Sequence, residues 1–193
     1  MRYLIILALG FLHLSLVKAQ STGANRLADS ALTLTHDHVV YDGSYFSLDY
    51  PGGDVPANKG VCTDVVIRAY RKLGIDLQKE VHEDMMAHFD VYPKNWGLSS
   101  TDKNIDHRRV PNLMVFFSRH GTTKSKSPQS SDYQPGDIVC WNLGSGLTHI
   151  GIVSNVKNSD QTRYQIIHNI GGGQVLEDCL FNFEIIGHYS YRP

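Results

Sequence analysis

The order of hydrophobic periodicities predicts an α+β fold, with N-terminal helices packed on a small antiparallel sheet. Helical spacing of apolar residues prevails before Ser130, and β-branched and aromatic runs bounded by turn residues prevail after Pro135. A length of 193 residues suits one domain with or without a leader, and a 41% hydrophobic content with ten tyrosines suffices for a packed core.

Residues 1–19 read as a signal peptide. Arg2 supplies the positive end, residues 4–16 are almost wholly apolar, and Val17-Lys18-Ala19 forms a small-x-small cleavage site before Gln20. The apolar run falls short of the roughly 20 residues a membrane span needs, so export to the periplasm or medium is expected, with no transmembrane segment in the mature chain. Residues 20–193 then form the single domain. Leu27, Ala31, Leu34 and Val39 suggest a helix within 20–40, and the Gly-, Pro-, Asp- and Tyr-rich stretch 41–60 reads as an ordered, irregular loop.

The clearest helical stripe follows: Cys62, Val65, Val66, Ala69, Tyr70 and Leu73, stopped by Gly74. Short helices are expected over 79–89 and 110–118, and the Ser-, Thr- and Lys-rich stretch 121–132 reads as a mobile surface loop. Strand signals cover 138–142, 148–156, 163–170 and 185–191.

Cys62 falls in the first turn of its helix, where unpaired N–H groups and the positive dipole end favour a thiolate. Three cysteines exclude a disulfide-dense scaffold; if Cys140 and Cys179 pair or pack together, Cys62 is the odd, reactive thiol. A thiol of ordinary pKa, about 8.5, needs an imidazole beside it, and that imidazole needs a third polar group to orient it. A turn centred on Asn158-Ser159 sets His149 opposite His168 on adjacent antiparallel strands, whereas another loop register sets Asn169 or Ile170 there.

At these residues the chain resembles a known family. Gly60-Val61-Cys62-Thr63-Asp64 opening a helix, Pro135-Gly136-Asp137-Ile138-Val139 opening a strand, Thr148-His149-Ile150-Gly151-Ile152-Val153 and Ile167-His168-Asn169 stand in the order seen in NlpC-type cell-wall cysteine peptidases. The resemblance implies a papain-like α+β fold, with Cys62 as nucleophile, His149 as base and His168 as the orienting residue, Asn169 being the alternative. It also implies cleavage of amide bonds in peptidoglycan stem peptides through an acyl-thioester at Cys62. Over nearly the whole mature chain, Tyr50-Pro51-Gly52-Gly53-Asp54-Val55-Pro56, Val81-His82-Glu83-Asp84-Met85 and Asn104-Ile105-Asp106-His107-Arg108-Arg109-Val110-Pro111-Asn112 look like the bacterial domain of unknown function 1287.

Substrate contacts are expected from Tyr50, Asp54, Asp64, Arg108 and Arg109, the two arginines because guanidinium forks match carboxylates; salt bridges and caps are the structural alternative for the charged ones. Ten histidines invite a metal, yet the spacing lacks a His-x-x-x-His pair with Glu and a Cys-x-x-Cys pair, so no metal and no cofactor are expected. His36, His38, His82 and His88 read as surface residues. With 18 Lys plus Arg against 19 Asp plus Glu, no charge excess draws the chain onto nucleic acid, and a monomer acting on a peptide-like substrate is expected. Two rivals share the fold: a thiol acyltransferase or transpeptidase, and a catalytically inactive cell-wall binding domain.

Overall fold

The computed structural model of the protein describes residues 23–191, so the apolar stretch read as a leader lies outside them. The expected α+β architecture is present. Helices α1 (Gly23–Leu34), α2 (Cys62–Arg71), α3 (Leu77–Ala87) and α4 (Val110–His120) precede the main sheet. Its strands are β3 (Thr122–Thr123), β4 (Ile138–Asn142), β5 (Thr148–Lys157), β6 (Tyr164–His168), β7 (Val175–Glu177) and β8 (Glu184–Ser190), ordered β3-β8-β4-β5-β6-β7 and antiparallel throughout. Two short strands, β1 (Val40–Tyr41) and β2 (Lys59–Gly60), pair in parallel just ahead of α2. Among the described residues, no helix is long and apolar enough to cross a membrane.

Alternation along the strands divides the core. Ile138, Cys140, Ile150, Ile152 and Ile167 pack with α1, α2 and α4, whereas Val139, Trp141, Val153 and Ile166 face the other way, against Tyr133, Cys179 and Leu180. Both faces of β4 and β5 are therefore dry, which is why these strands read as continuous apolar runs. Burial extends all round α2: every residue from Cys62 to Tyr70 is buried, not just the stripe.

Several expectations are corrected. The first helix ends at Leu34, where the side chain of Gln174 donates to the terminal carbonyl at 2.9 Å, and Val39 lies beyond it, buried just ahead of β1. The stretch 121–132 is tethered at both ends: Thr122 and Thr123 pair with β8, Lys124 bonds Asp137 at 2.7 Å, and Ser130 donates to Thr162. β7 was not expected at all. Cys140 and Cys179 face opposite sides of the sheet and are free thiols, so the suggested pairing does not occur. The β5–β6 register also differs: Ile152 opposes Ile167 and Val153 opposes Ile166, with an irregularity before Lys157–Tyr164. Continued toward the turn's far end, that register puts His168 opposite Gly151 and not opposite His149.

Candidate functional site

Cys62 is the first residue of α2. The preceding Val61 is extended, and its N–H donates to Asp64 Oδ2 at 2.7 Å, the carboxylate half of a capping box. Asp64 in turn accepts from Arg108 Nε at 3.0 Å and Nη2 at 3.1 Å, and the two side chains are only 3% and 2% exposed. This bidentate pair locks the helix start. The expectation that Asp64 and Arg108 contact substrate is corrected: their polar atoms are spent on each other and on the carbonyl of Ser44.

The thiol is buried against β5. The N–H groups of Ile150, Thr63 and Cys62 itself lie close enough to favour a thiolate, yet burial outweighs them and, with the Asp64 charge, pushes Cys62 up to about 12. The expected depression by the helix end is thus overridden, because the same packing that brings the thiol to the sheet removes water from it.

Ile150 adjoins His149, whose ring lies beside its cross-strand partner Trp141 at 5.7 Å between centroids. His149 Nε2 is 2.8 Å from His168 Nδ1, and His168 Nε2 is 2.9 Å from Glu177 Oε2 on β7. The contact between the two rings runs diagonally across the strands, and Gly151 makes room for it: a Cβ there would sit 3.2 Å from His168 Cβ and 2.7 Å from Ile166 Cγ2. An ionised carboxylate only accepts, so Glu177 holds the proton of His168 on Nε2. His168 Nδ1 then accepts from His149 Nε2–H, leaving the lone pair of His149 on Nδ1. Burial, then the neighbouring His168, lower His149 to about 3; burial also lowers His168, against the pull of Glu177. Both rings are neutral at neutral pH. Among the described residues, no hydrogen bond joins Cys62 Sγ to the His149 ring: the thiol reaches the backbone of Ile150, and the ring of His149, one residue earlier, lies on the Trp141 side of β5.

Asn169 faces elsewhere. Its amide donates to the Gly60 carbonyl at 3.3 Å and its oxygen accepts from Gly171 N–H, tying the end of β6 to the segment before Cys62. Of the other expected substrate residues, Asp54 is paired with Arg68 at 3.0 Å and Arg71 at 2.8 Å but, unlike Asp64, stays partly exposed. Tyr50 lies edge-on to His82. Arg109 spreads over the exposed Trp96, 4.4 Å from the ring centroid, with Nη1 unpartnered. His36, His38 and His88 are exposed as expected, but His82 is half-buried and bonds Asp106 at 2.8 Å.

Two residues near the site escaped sequence reasoning. Tyr41, half-exposed at the end of β1, has its hydroxyl raised by burial first and then by the neighbouring Cys62 and Asp64. Glu177 sits on a three-residue strand after a glycine run, where no periodicity could have announced it.

A cysteine at a helix start, set against an antiparallel sheet that carries a hydrogen-bonded histidine pair, defines the class. More particularly, the chain belongs to the family described as Domain of unknown function (DUF1287), which it matches over residues 28–191. It is 51% identical over 177 residues to the Uncharacterized protein YijF of Escherichia coli (strain K12), covering 92% of this chain and 86% of that protein. Two crystal structures of an N-acetylmuramoyl-L-alanine amidase from Bacteroides uniformis ATCC 8492 share its fold, with TM-scores of 0.53 and 0.52. Each is 12% identical and covers 86% of this chain and 97% of its own.

Proposed function

We propose that this protein is an exported, monomeric cysteine hydrolase of papain-like, NlpC-type architecture that cleaves amide bonds in peptidoglycan. The observation that carries the reading is the chain of hydrogen bonds from Glu177 through His168 to His149, the residue next to Ile150, whose backbone reaches the helix-start thiol of Cys62. Three groups with separate tasks are what acyl transfer to a thiol requires.

In this mechanism His149 Nδ1 takes the thiol proton as Sγ attacks the carbonyl carbon. With the thiol raised and the imidazole lowered, the resting pair is neutral, so proton transfer accompanies attack and does not precede it. The proton passes from His149 to the departing amine, leaving an acyl-thioester at Cys62. Water, deprotonated by the same ring, then releases the carboxylic acid. His168 and Glu177 keep the lone pair of His149 on Nδ1 and disperse the transient imidazolium charge. Tyr41, which keeps its proton, is suited to donate toward the carbonyl oxygen. Arg109, half-buried beside the exposed Trp96, is the remaining guanidinium that could serve a substrate carboxylate.

The fold shared with N-acetylmuramoyl-L-alanine amidases points to the muramoyl–alanine amide as the first bond to examine. Incubation with purified peptidoglycan and mass spectrometry of the products tests the reading. A new amine and a new carboxylate at one position are expected. New cross-links would make the protein a transferase, and unchanged peptidoglycan with retained binding would make it a binding domain.

A further inference from the structure

We infer that His168, Glu177 and Cys179 form a binding site for a zinc-class divalent cation, and that its occupation disables His149 as a base. The switch rests on the catalytic reading above; the site does not. The three donor atoms lie within 4.8 Å of one another. Cys179 Sγ is 3.6 Å from His168 Nε2, which matches the roughly 3.6 Å separating sulfur and nitrogen ligands at zinc bond lengths and a tetrahedral angle. Glu177 Oε2 is 2.9 Å from the same nitrogen, and it must withdraw to roughly 3.4 Å. Its side chain is 52% exposed and free to do so, while that of His168 is 2% exposed. Carboxylate, imidazole and thiol together are a borderline-soft set that suits zinc, cobalt or copper over magnesium or calcium. Water completes the tetrahedron on the exposed Glu177 side.

The proton balance gives the consequence. Metal binding releases one proton to solvent, from the Cys179 thiol. His168 Nε2 now holds the metal, so the ring's proton must sit on Nδ1, where it donates to His149 Nε2. The proton of His149 is thereby displaced to Nδ1, the nitrogen that must be bare to accept the Cys62 proton. Each ring still carries one proton, but the polarity of the pair is reversed.

Cobalt titration of the Cys62→Ala protein tests the site without the catalytic thiol. One equivalent is expected, with a thiolate-to-cobalt charge-transfer absorption and competitive displacement by zinc. Adding Cys179→Ser should abolish that absorption and weaken zinc binding at least about 100-fold, beyond the 10- to 100-fold losses that outer partners cause. Glu177→Gln, at an exposed position, provides a second variant should Cys179→Ser not fold; it should weaken binding at least about tenfold. Absence of the charge-transfer absorption, or zinc binding indifferent to both substitutions, overturns the site. Zinc inhibition of peptidoglycan cleavage should be lost in Cys179→Ser; inhibition as strong as in the unmodified protein places the metal at Cys62 and overturns the switch. Stoichiometric binding in a protein that cleaves nothing would sink the catalytic reading and leave the site standing.

Discussion

His149 and His168 are hydrogen-bonded at 2.8 Å although they are not cross-strand partners, and between them on β5 stands Gly151, where a Cβ would crowd the Cβ of His168. The arrangement makes His168 a support for the ring of His149 and assigns no such task to Asn169. His149→Ala should remove nearly all turnover, because in the proposed mechanism both the thiol proton and the amine proton pass through it. His168→Ala should lower kcat by roughly tenfold or more yet less than His149→Ala does, the usual scale for an orienting partner. Asn169→Ala should act through the position of Gly60 and Cys62 instead, reducing stability in urea together with rate. A larger kcat loss in Asn169→Ala at unchanged stability would reverse the two assignments.

The adjacent Arg108 and Arg109 should behave oppositely. Arg108 is fully internal, paired with Asp64 at the start of α2, so Arg108→Ala leaves a buried carboxylate uncompensated and should cost roughly 3–5 kcal/mol in urea unfolding. Arg109 lies over exposed Trp96, where a cation–π contact contributes about 0.5–1 kcal/mol, so Arg109→Ala should barely change stability while raising KM. Equal stability losses at the two positions would contradict this division.

Thiol labelling should be slow at neutral pH despite the helix-start position of Cys62, since its thiol is raised to about 12 and Cys140 is raised well above its ordinary value. Alkylation of Cys62 should accelerate about tenfold per pH unit between about pH 7 and 9, following the thiolate fraction. Peptide mass mapping reads each cysteine separately. Fast, pH-independent labelling at neutral pH would show a preformed thiolate.

Much of this architecture was legible because burial and periodicity are linked. β4 is bounded by the residues its apolar run suggested, Ile138–Asn142, and the stripe beginning at Cys62 is a helix packed on β5. What was hidden depends on chain-distant partners. The turn lies further along the chain than Asn158-Ser159, and the irregularity between Val153 and Lys157 recovers part of the offset; the remaining two-residue shift preserves the face, so His149 and His168 still meet although the assumed opposition was wrong. Glu177 lies on a strand too short to show alternation. Arg108 looked free for substrate because Asp64, 44 residues earlier, gives no local sign of closing on it. The helix start of Cys62 was visible, but not the sheet that covers it, and that cover decides the sign of its pKa shift.

Acid sensitivity follows from two buried histidines. Burial holds both His107 and His149 near 3, with the charges of Arg108 and Arg71 also acting on His107 and His168 also acting on His149. In the unfolded chain each titrates at about 6.5, so between these values the unfolded state binds more protons than the folded one. Stability from this source is complete above about pH 6.5 and is lost as pH falls toward about 3, at roughly 1.4 kcal/mol per pH unit for each histidine. His168, also lowered by burial, adds to the effect in the same direction. The carboxylates of Asp84, Asp137 and Asp178, lowered by their ion pairs and hydrogen bonds, contribute with the same sign but only below about pH 4. Burial raises Asp106, which therefore contributes with the opposite sign, so urea unfolding at intervals from pH 6.5 down to 5 is read against a variant that lacks one histidine. A steady loss of unfolding free energy is expected, and His107→Gln, which has nothing to protonate, should make the slope shallower by about the share of one histidine. A stability that holds constant or rises on acidification to pH 5 would mean that these rings are already charged in the folded protein, and the neutral resting state assigned to His149 would fall with it.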